Sequence, residues 1–158
     1  MHFKTRMMIF LGMVLFMGSI SCRTNSDYDS YALTLQWGAA MCNEFDCYDS
    51  HWEKVKAADA FTLHGLWPQR SDGSWPQYCD HNRYFDESDL AVAVKTEMED
   101  FWFSLSPSCW NQCFWKHQWE KHGTCVSSFP EGTNNPPISN DYFETALRLR
   151  NQYPLLQA

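Results

Sequence analysis

Residues 114–125, FWKHQWEKHGTC, hold two histidines, two lysines and a glutamate among tryptophans, and end on a cysteine. An α-helix advances about 100° per residue. With His117 as origin, Lys121 falls at about 40°, Gln118 at about 100° and His122 at about 140°. These four side chains therefore share one helix face, while Glu120, at about 300°, points elsewhere. Two imidazoles and an ammonium on one face suit a phosphate. Imidazoles titrate near neutral pH, so one can be neutral and another charged. The lysine supplies positive charge where a phosphorane would gather negative charge. Trp115 and Trp119, at i and i+4, form a second, apolar edge for packing. A merely solvated charged helix would explain the charges but not those tryptophans.

A further histidine, His64, lies in FTLHGLWP, residues 61–68, between a β-prone run and a Gly-Leu-Trp-Pro turn. Cleavage of RNA by transphosphorylation needs a base for the 2′-OH proton and an acid for the leaving 5′-oxygen. The two act on opposite sides of phosphorus. Histidines on separate elements meet that need without a metal or cofactor, and none is expected. His51 and His81 are loop histidines and receive no role. Cys109, Cys113, His117, His122 and Cys125 also look like a zinc-ligand run. The two histidines are five apart, however, not the i, i+4 of HExxH, and diverge by about 140°. Cysteines of a secreted chain usually pair as disulfides instead.

The elements that must position these groups are legible in outline. YALTLQW, residues 31–37, alternates as a strand does. Cys42 and Cys47 read as part of a polar loop. FTLHGLWP reads as a short strand ended by Pro68, and residues 68–83, with Pro68, Gly73 and Pro76, as an ordered loop. Asp86 to Asp89 supply cap-like and acidic first-turn residues for a helix running to about Phe103. Leu90, Val94, Met98 and Phe101 would line its buried face. The stretch Ser106, Pro107, Ser108 breaks it. A second helix carries the residues described first, with Asn111 as N-cap and Gly123 as C′ residue. After a loop over residues 127–140, a third helix starts near Asp141, where Glu144 completes an Asp-x-x-Glu pattern like a capping box. Tyr142, Phe143, Ala146, Leu147 and Leu149 give it an apolar side, and it stops near Pro154.

The 158 residues suggest one domain. Residues 1–22 read as a secretory signal peptide: Lys4 and Arg6, an apolar run from Met7 to Met17, then small residues. The run is too short for a comfortable membrane span. The mature domain, residues 23–158, is expected to be soluble, monomeric and without a membrane contact. Of seven cysteines, six remain if Cys22 leaves with the leader, an even set that reads as a disulfide framework, whereas cleavage before Cys22 leaves one thiol over. The formal charge is −7, and −9 after Lys4 and Arg6 leave. Bulk electrostatics therefore does not attract nucleic acid, and any polyanion must be met by a local cationic site. After the leader no N-x-Ser/Thr acceptor occurs.

FTLHGLWP and FWKHQWEKHGTC resemble, in order and separation, the two active-site segments of the T2 family of secreted acid ribonucleases. YALTLQWGAAMC looks like that family's first strand, and DYFETALRL like the helix after the second segment. The match covers roughly Tyr31 to Leu149. The resemblance implies an α+β fold, with helices packed on an antiparallel sheet and disulfides stabilising it. It implies endonucleolytic cleavage of single-stranded RNA through a 2′,3′-cyclic phosphate, with little base specificity and with no DNA as partner. His122 would be the base toward the 2′-OH and His64 the acid. His117 would bind phosphate, and Lys121 would stabilise the pentacovalent intermediate. Trp67 and Trp75 would border the upstream base site by stacking, and Gln36 and Phe114 would line the downstream one. Cys79 would pair with Cys125 and Cys42 with Cys47, leaving the partners of Cys109 and Cys113 open. The location implied is extracellular, or an acidic vesicle or lysosomal lumen.

Two departures stand out. The family has Glu where this chain has Gln118, which can hydrogen-bond but not carry charge. Reduced rather than abolished activity is expected, with Gln118 donating to a phosphoryl oxygen. Family members also run well past Pro154, so the domain is expected to be incomplete at its C-terminus. The competing readings are a catalytically impaired relative acting by RNA binding or signalling, and a zinc-binding module.

Overall fold

The computed structural model describes residues 7–10, 13–18, 28–44, 47, 61–129, 134 and 136–153. It has the expected α+β class. Four strands, β1 (Met7–Phe10), β2 (Met13–Gly18), β3 (Ser30–Trp37) and β4 (Phe61–Gln69), form one antiparallel sheet in that order. Helices α1 (Gly38–Glu44), α2 (Val92–Phe101), α3 (Asn111–Lys121) and α4 (Ser139–Asn151) complete the described elements, with 3-10 turns at Glu87–Asp89 and Gly123–Cys125. The backbone of the expected leader supplies β1 and β2 at the sheet's edge. The pair that bears on the chemistry is β3–β4.

Several boundaries differ from the sequence expectation, each for a local reason. Cys42 lies on α1, not in a loop, because Gly38-Ala39-Ala40-Met41 continues the chain helically straight out of β3. Strand β4 runs through Pro68, which stands opposite Tyr31, to Gln69; proline lacks a donor, but its φ suits an extended chain. Asp86 does cap a turn, accepting from the Ser88 N–H at 2.8 Å, but the turn is 3-10. Helix α2 begins later, at Val92, and ends at Phe101 rather than Phe103. Asn111 is the first residue of α3 and not its cap; its Oδ1 accepts from the Ser104 N–H at 2.9 Å. Asp141 is the third helical residue of α4, where its carboxylate accepts from the Ile138 N–H at 2.9 Å. Only the Asp141 half of a capping box is therefore made, because the Ile138 side chain has no acceptor to return the bond, and the pattern from Asp141 to Glu144 is not the cap.

Gly123 opens a 3-10 turn instead of ending α3 in a left-handed conformation. What demands glycine there is space: a Cβ would sit 2.3 Å from the Trp119 ring.

The core lies where α2, α3 and α4 meet the inner face of β3–β4. Leu35, Leu63 and Leu66 from the sheet pack with Met98, Trp102, Trp115, Trp119, Tyr142, Phe143 and Leu147. Three of these are tryptophans, and a buried indole N–H needs an acceptor. Trp102 donates to His64 O at 3.0 Å, Trp115 to Trp102 O at 2.6 Å and Trp119 to Arg83 O at 3.0 Å. The aromatic core thus fixes the backbone around it as well as filling space.

Among the described residues three disulfides join Cys42–Cys47, Cys79–Cys125 and Cys109–Cys113. The first two are those the resemblance implied, and the third closes the open question at the start of α3. Cys79–Cys125 spans 46 residues and ties the loop after β4 to the end of α3. Among the described residues, no helix is long and apolar enough to cross a membrane.

Candidate active site

Strand β4 is irregular at His64, the histidine singled out from its sequence. Leu35 pairs with Leu63 and Thr34 with Gly65, so His64 is an extra residue in a bulge. In a regular strand, residues three apart point to opposite faces. The bulge shifts the alternation by one and turns His64 and Trp67 to the same face. Their rings meet edge-on, 5.4 Å between centroids. The bulge is held from behind: the His64 carbonyl accepts from Trp102 Nε1. Next to it, the Tyr142 hydroxyl donates to Leu66 O at 3.0 Å and accepts from Leu66 N–H at 3.3 Å. Neither anchor is visible in FTLHGLWP itself, although a glycine inside a strand-like run is a signal for a bulge.

Helix α3 supplies the other half. Its expected polar face is divided between two environments. His117 is exposed and Lys121 half-buried, whereas Gln118 and His122 are buried against β4. Trp115 and Trp119 form the buried edge as expected. The His122 ring lies flat on the Trp67 indole, centroids 4.9 Å apart and planes 17° apart. Trp67 therefore touches both His64 and His122, and two imidazoles from separate elements converge on one indole.

Gln118 is 1% exposed. Its Oε1 accepts from Trp67 Nε1 at 3.0 Å. Gly65 makes this possible: a Cβ there would lie 2.2 Å from Trp67 Nε1 and 2.3 Å from Gln118 Oε1. Gln118 thus engages Trp67 through its carbonyl oxygen.

The remaining expected residues fall as follows. Phe114 stands edge-on to His64 at 5.5 Å. Gln36 is buried and donates from Nε2 to Phe103 O at 3.3 Å. Trp75 is half exposed on the loop and, among the described ring contacts, meets no ring of the cluster. Tyr78, not singled out from the sequence, meets His117 edge-on at 6.4 Å.

The electrostatics follow from this packing. Burial, then the charges of His117 and Lys121, push the His64 imidazole down to about 4. Burial, then Lys121, His117 and His64, push His122 down to about 3. His117 is held below the usual histidine value by burial and Lys121, with Glu120 acting the other way. Nδ1 of both His64 and His122 is buried without a hydrogen-bond partner. Burial and mutual repulsion thus disfavour the charged form of each imidazole, an effect that an incoming anion would offset. The cysteines of the suspected zinc run are consumed as Cys109–Cys113 and Cys79–Cys125. Among the described residues no group of three or more His, Cys, Asp or Glu side chains is placed to hold a metal ion.

The sequence profile of the Ribonuclease T2 family matches residues 28–158. The chain is 37% identical over 141 residues to the intracellular ribonuclease LX of Solanum lycopersicum, covering 87% of this chain and 54% of that protein. It is 38% identical over 133 residues to the extracellular ribonuclease LE of the same plant, covering 82% and 54%. Among solved structures, RNase NT in complex with 5′-AMP superposes with a TM-score of 0.59 at 32% identity, over 80% of this chain and 57% of that one. The chain spans about half the length of the curated relatives it matches.

Proposed function

Because the chain belongs to the ribonuclease T2 family, we propose that it is a secreted, metal-independent endoribonuclease that cleaves single-stranded RNA through a 2′,3′-cyclic phosphate. The observation that carries the reading is the convergence of His64, from the β4 bulge, and His122, from the end of α3, on the Trp67 ring. His122, neutral over the whole working range, takes the proton of the 2′-OH. His64 protonates the leaving 5′-oxygen. An imidazole at about 4 is a poor reservoir for that proton at neutral pH. The phosphodiester's negative charge beside it favours the imidazolium, so substrate binding and proton uptake are coupled. His117 contacts the phosphate and Lys121 stabilises the charge of the pentacovalent intermediate.

With one face of Trp67 covered by His122, a base stacks on what remains of the indole and on Trp75. Gln36 and Phe114 line the downstream base. Stacking reads no sequence, which supports low base specificity. DNA lacks the nucleophilic 2′-OH and is not a substrate. Residues 1–22 leave on secretion, and the mature chain acts as a monomer outside the cell or in an acidic vesicle or lysosomal lumen.

The test is incubation of the secreted protein with RNA at about pH 5, with and without EDTA. Cyclic-phosphate ends that EDTA leaves unchanged are expected. His64→Ala and His122→Ala should each lower the rate by about 10²- to 10⁴-fold. Retained RNA binding with no cleavage would replace this reading by the impaired-relative one, and unfolding by EDTA would return the zinc reading.

A further inference from the structure

Tyr78 is the single non-glycine residue with positive φ among the described residues, at 53°. A bulky side chain adopts this conformation only when its surroundings over-determine it. Here they do. The Tyr78 N–H donates to Lys121 O at 2.9 Å, and the next residue, Cys79, is bonded to Cys125 at the end of α3. The backbone is pinned to the catalytic helix on both counts, and the ring is delivered beside His117 yet stays 42% exposed. Tyr78 also borders a cleft of about 120 Å³, shared with Asp80, His81, Arg83, Tyr84 and Glu120. The Tyr84 ring stands 73% exposed. Arg83 is turned inward, donating to Thr124 O and Pro137 O with its guanidinium over Trp119.

The cleft therefore offers aromatic surface and two carboxylates, with its one guanidinium already spent on the scaffold. Carboxylates repel a phosphate but accept from an amine. We propose that this cleft is an accessory base subsite, in which Tyr78 and Tyr84 hold a nucleobase bearing an exocyclic amine, from a nucleotide flanking the cleaved phosphodiester on the His117 side. The inference rests on the ribonuclease reading of the adjoining site. The base stacks against tyrosine, and Asp80 or Glu120 accepts from its amino group. Tyr78 thereby couples the subsite to the phosphate-binding His117.

The experiment uses short 2′-O-methyl oligonucleotides, which have no 2′-OH to react, and reads binding by fluorescence anisotropy. The cytidine tetramer should bind more tightly than the uridine tetramer. Tyr84→Ala, at an exposed position that leaves the core intact, should weaken the cytidine tetramer about five- to tenfold. Tyr78→Gly, which keeps the positive φ and removes the ring, should do the same. In cleavage assays Tyr84→Ala should lower kcat/KM for a tetranucleotide and leave a dinucleotide unchanged. Equal binding of the two tetramers, or wild-type binding by both variants, would overturn the subsite even if RNA is cleaved. Loss of binding in the variants of a protein that cleaves nothing would sustain the subsite and reject the catalytic reading.

Discussion

The Trp67 indole N–H donates to Gln118 Oε1 at 3.0 Å while its ring face lies on His122, 4.9 Å between centroids. A buried amide on α3 thus orients an aromatic residue of β4, and that residue in turn fixes the plane of an imidazole. The side chain that replaces the family's glutamate thus touches His122 through Trp67.

Gln118→Glu should raise the rate. The carboxylate keeps the acceptor for Trp67 Nε1 and adds negative charge beside His64, His122 and Lys121. An anion this close raises a histidine pKa by about 1 to 3. The pH–rate profile should move toward neutral pH and kcat should gain about tenfold. A profile identical to that of the wild type would mean that the loss of charge at this position is immaterial.

Gly65→Ala should disable the site more than the fold. The new methyl group would stand 2.2 Å from Trp67 Nε1 and 2.3 Å from Gln118 Oε1, so that the bond between them must break or the strand must shift. Overpacking of this kind costs about 1–3 kcal/mol. A displacement of about 1 Å at a catalytic group costs on the order of 10²-fold in rate. Thermal unfolding and dinucleotide kinetics on the same preparation separate the two effects; an unaltered rate would contradict the packing described.

Stability should fall with acidity across the histidine range. Folded His64 and His122 titrate at about 4 and about 3, below the unfolded value of about 6.5. Between those values the unfolded chain binds more protons, so stability is full above about pH 6.5 and is lost as pH drops through the folded values. His64 alone contributes on the order of 3 kcal/mol to this slope. Urea unfolding at about pH 7 and pH 4 measures it. Inorganic phosphate should recover part of the loss at the lower pH, and His64→Gln should flatten the slope.

Tyr142→Phe removes a hydroxyl that both donates to Leu66 O and accepts from Leu66 N–H in the core. Leaving those backbone groups unpaired costs about 1–3 kcal/mol. Since Leu66 lies between Gly65 and Trp67, the variant should also lower kcat while KM changes little. A purely thermal effect, with wild-type kinetics, would show that α4 does not position the bulge.

The grouping of the polar residues on α3 was legible along the chain because it is local. Helical spacing alone groups His117, Gln118, Lys121 and His122, and the richness in cysteine points to disulfides. The core faces of α2 and α4 follow from the same periodicity: Val94, Met98, Tyr142, Phe143, Ala146 and Leu147 are buried, as is Leu90 just before α2, while Phe101 and Leu149 are only partly so. Helix starts were less legible, because Asp86, Asn111 and Asp141 each accept a backbone N–H whichever side of the boundary they occupy. What only the tertiary structure decided is which way the chemical groups point. Strand alternation by itself sets His64 and Trp67 on opposite faces, and one unpaired residue in the β3–β4 ladder reverses that. That residue is stabilised by Trp102, and its neighbour Leu66 by Tyr142, which are 38 and 76 positions away from their acceptors in the sequence. Contacts at such separation leave no periodic trace in the segment they reshape, so the direction of a side chain, the burial of Gln118 and the neutrality of the histidines emerge only when distant elements pack.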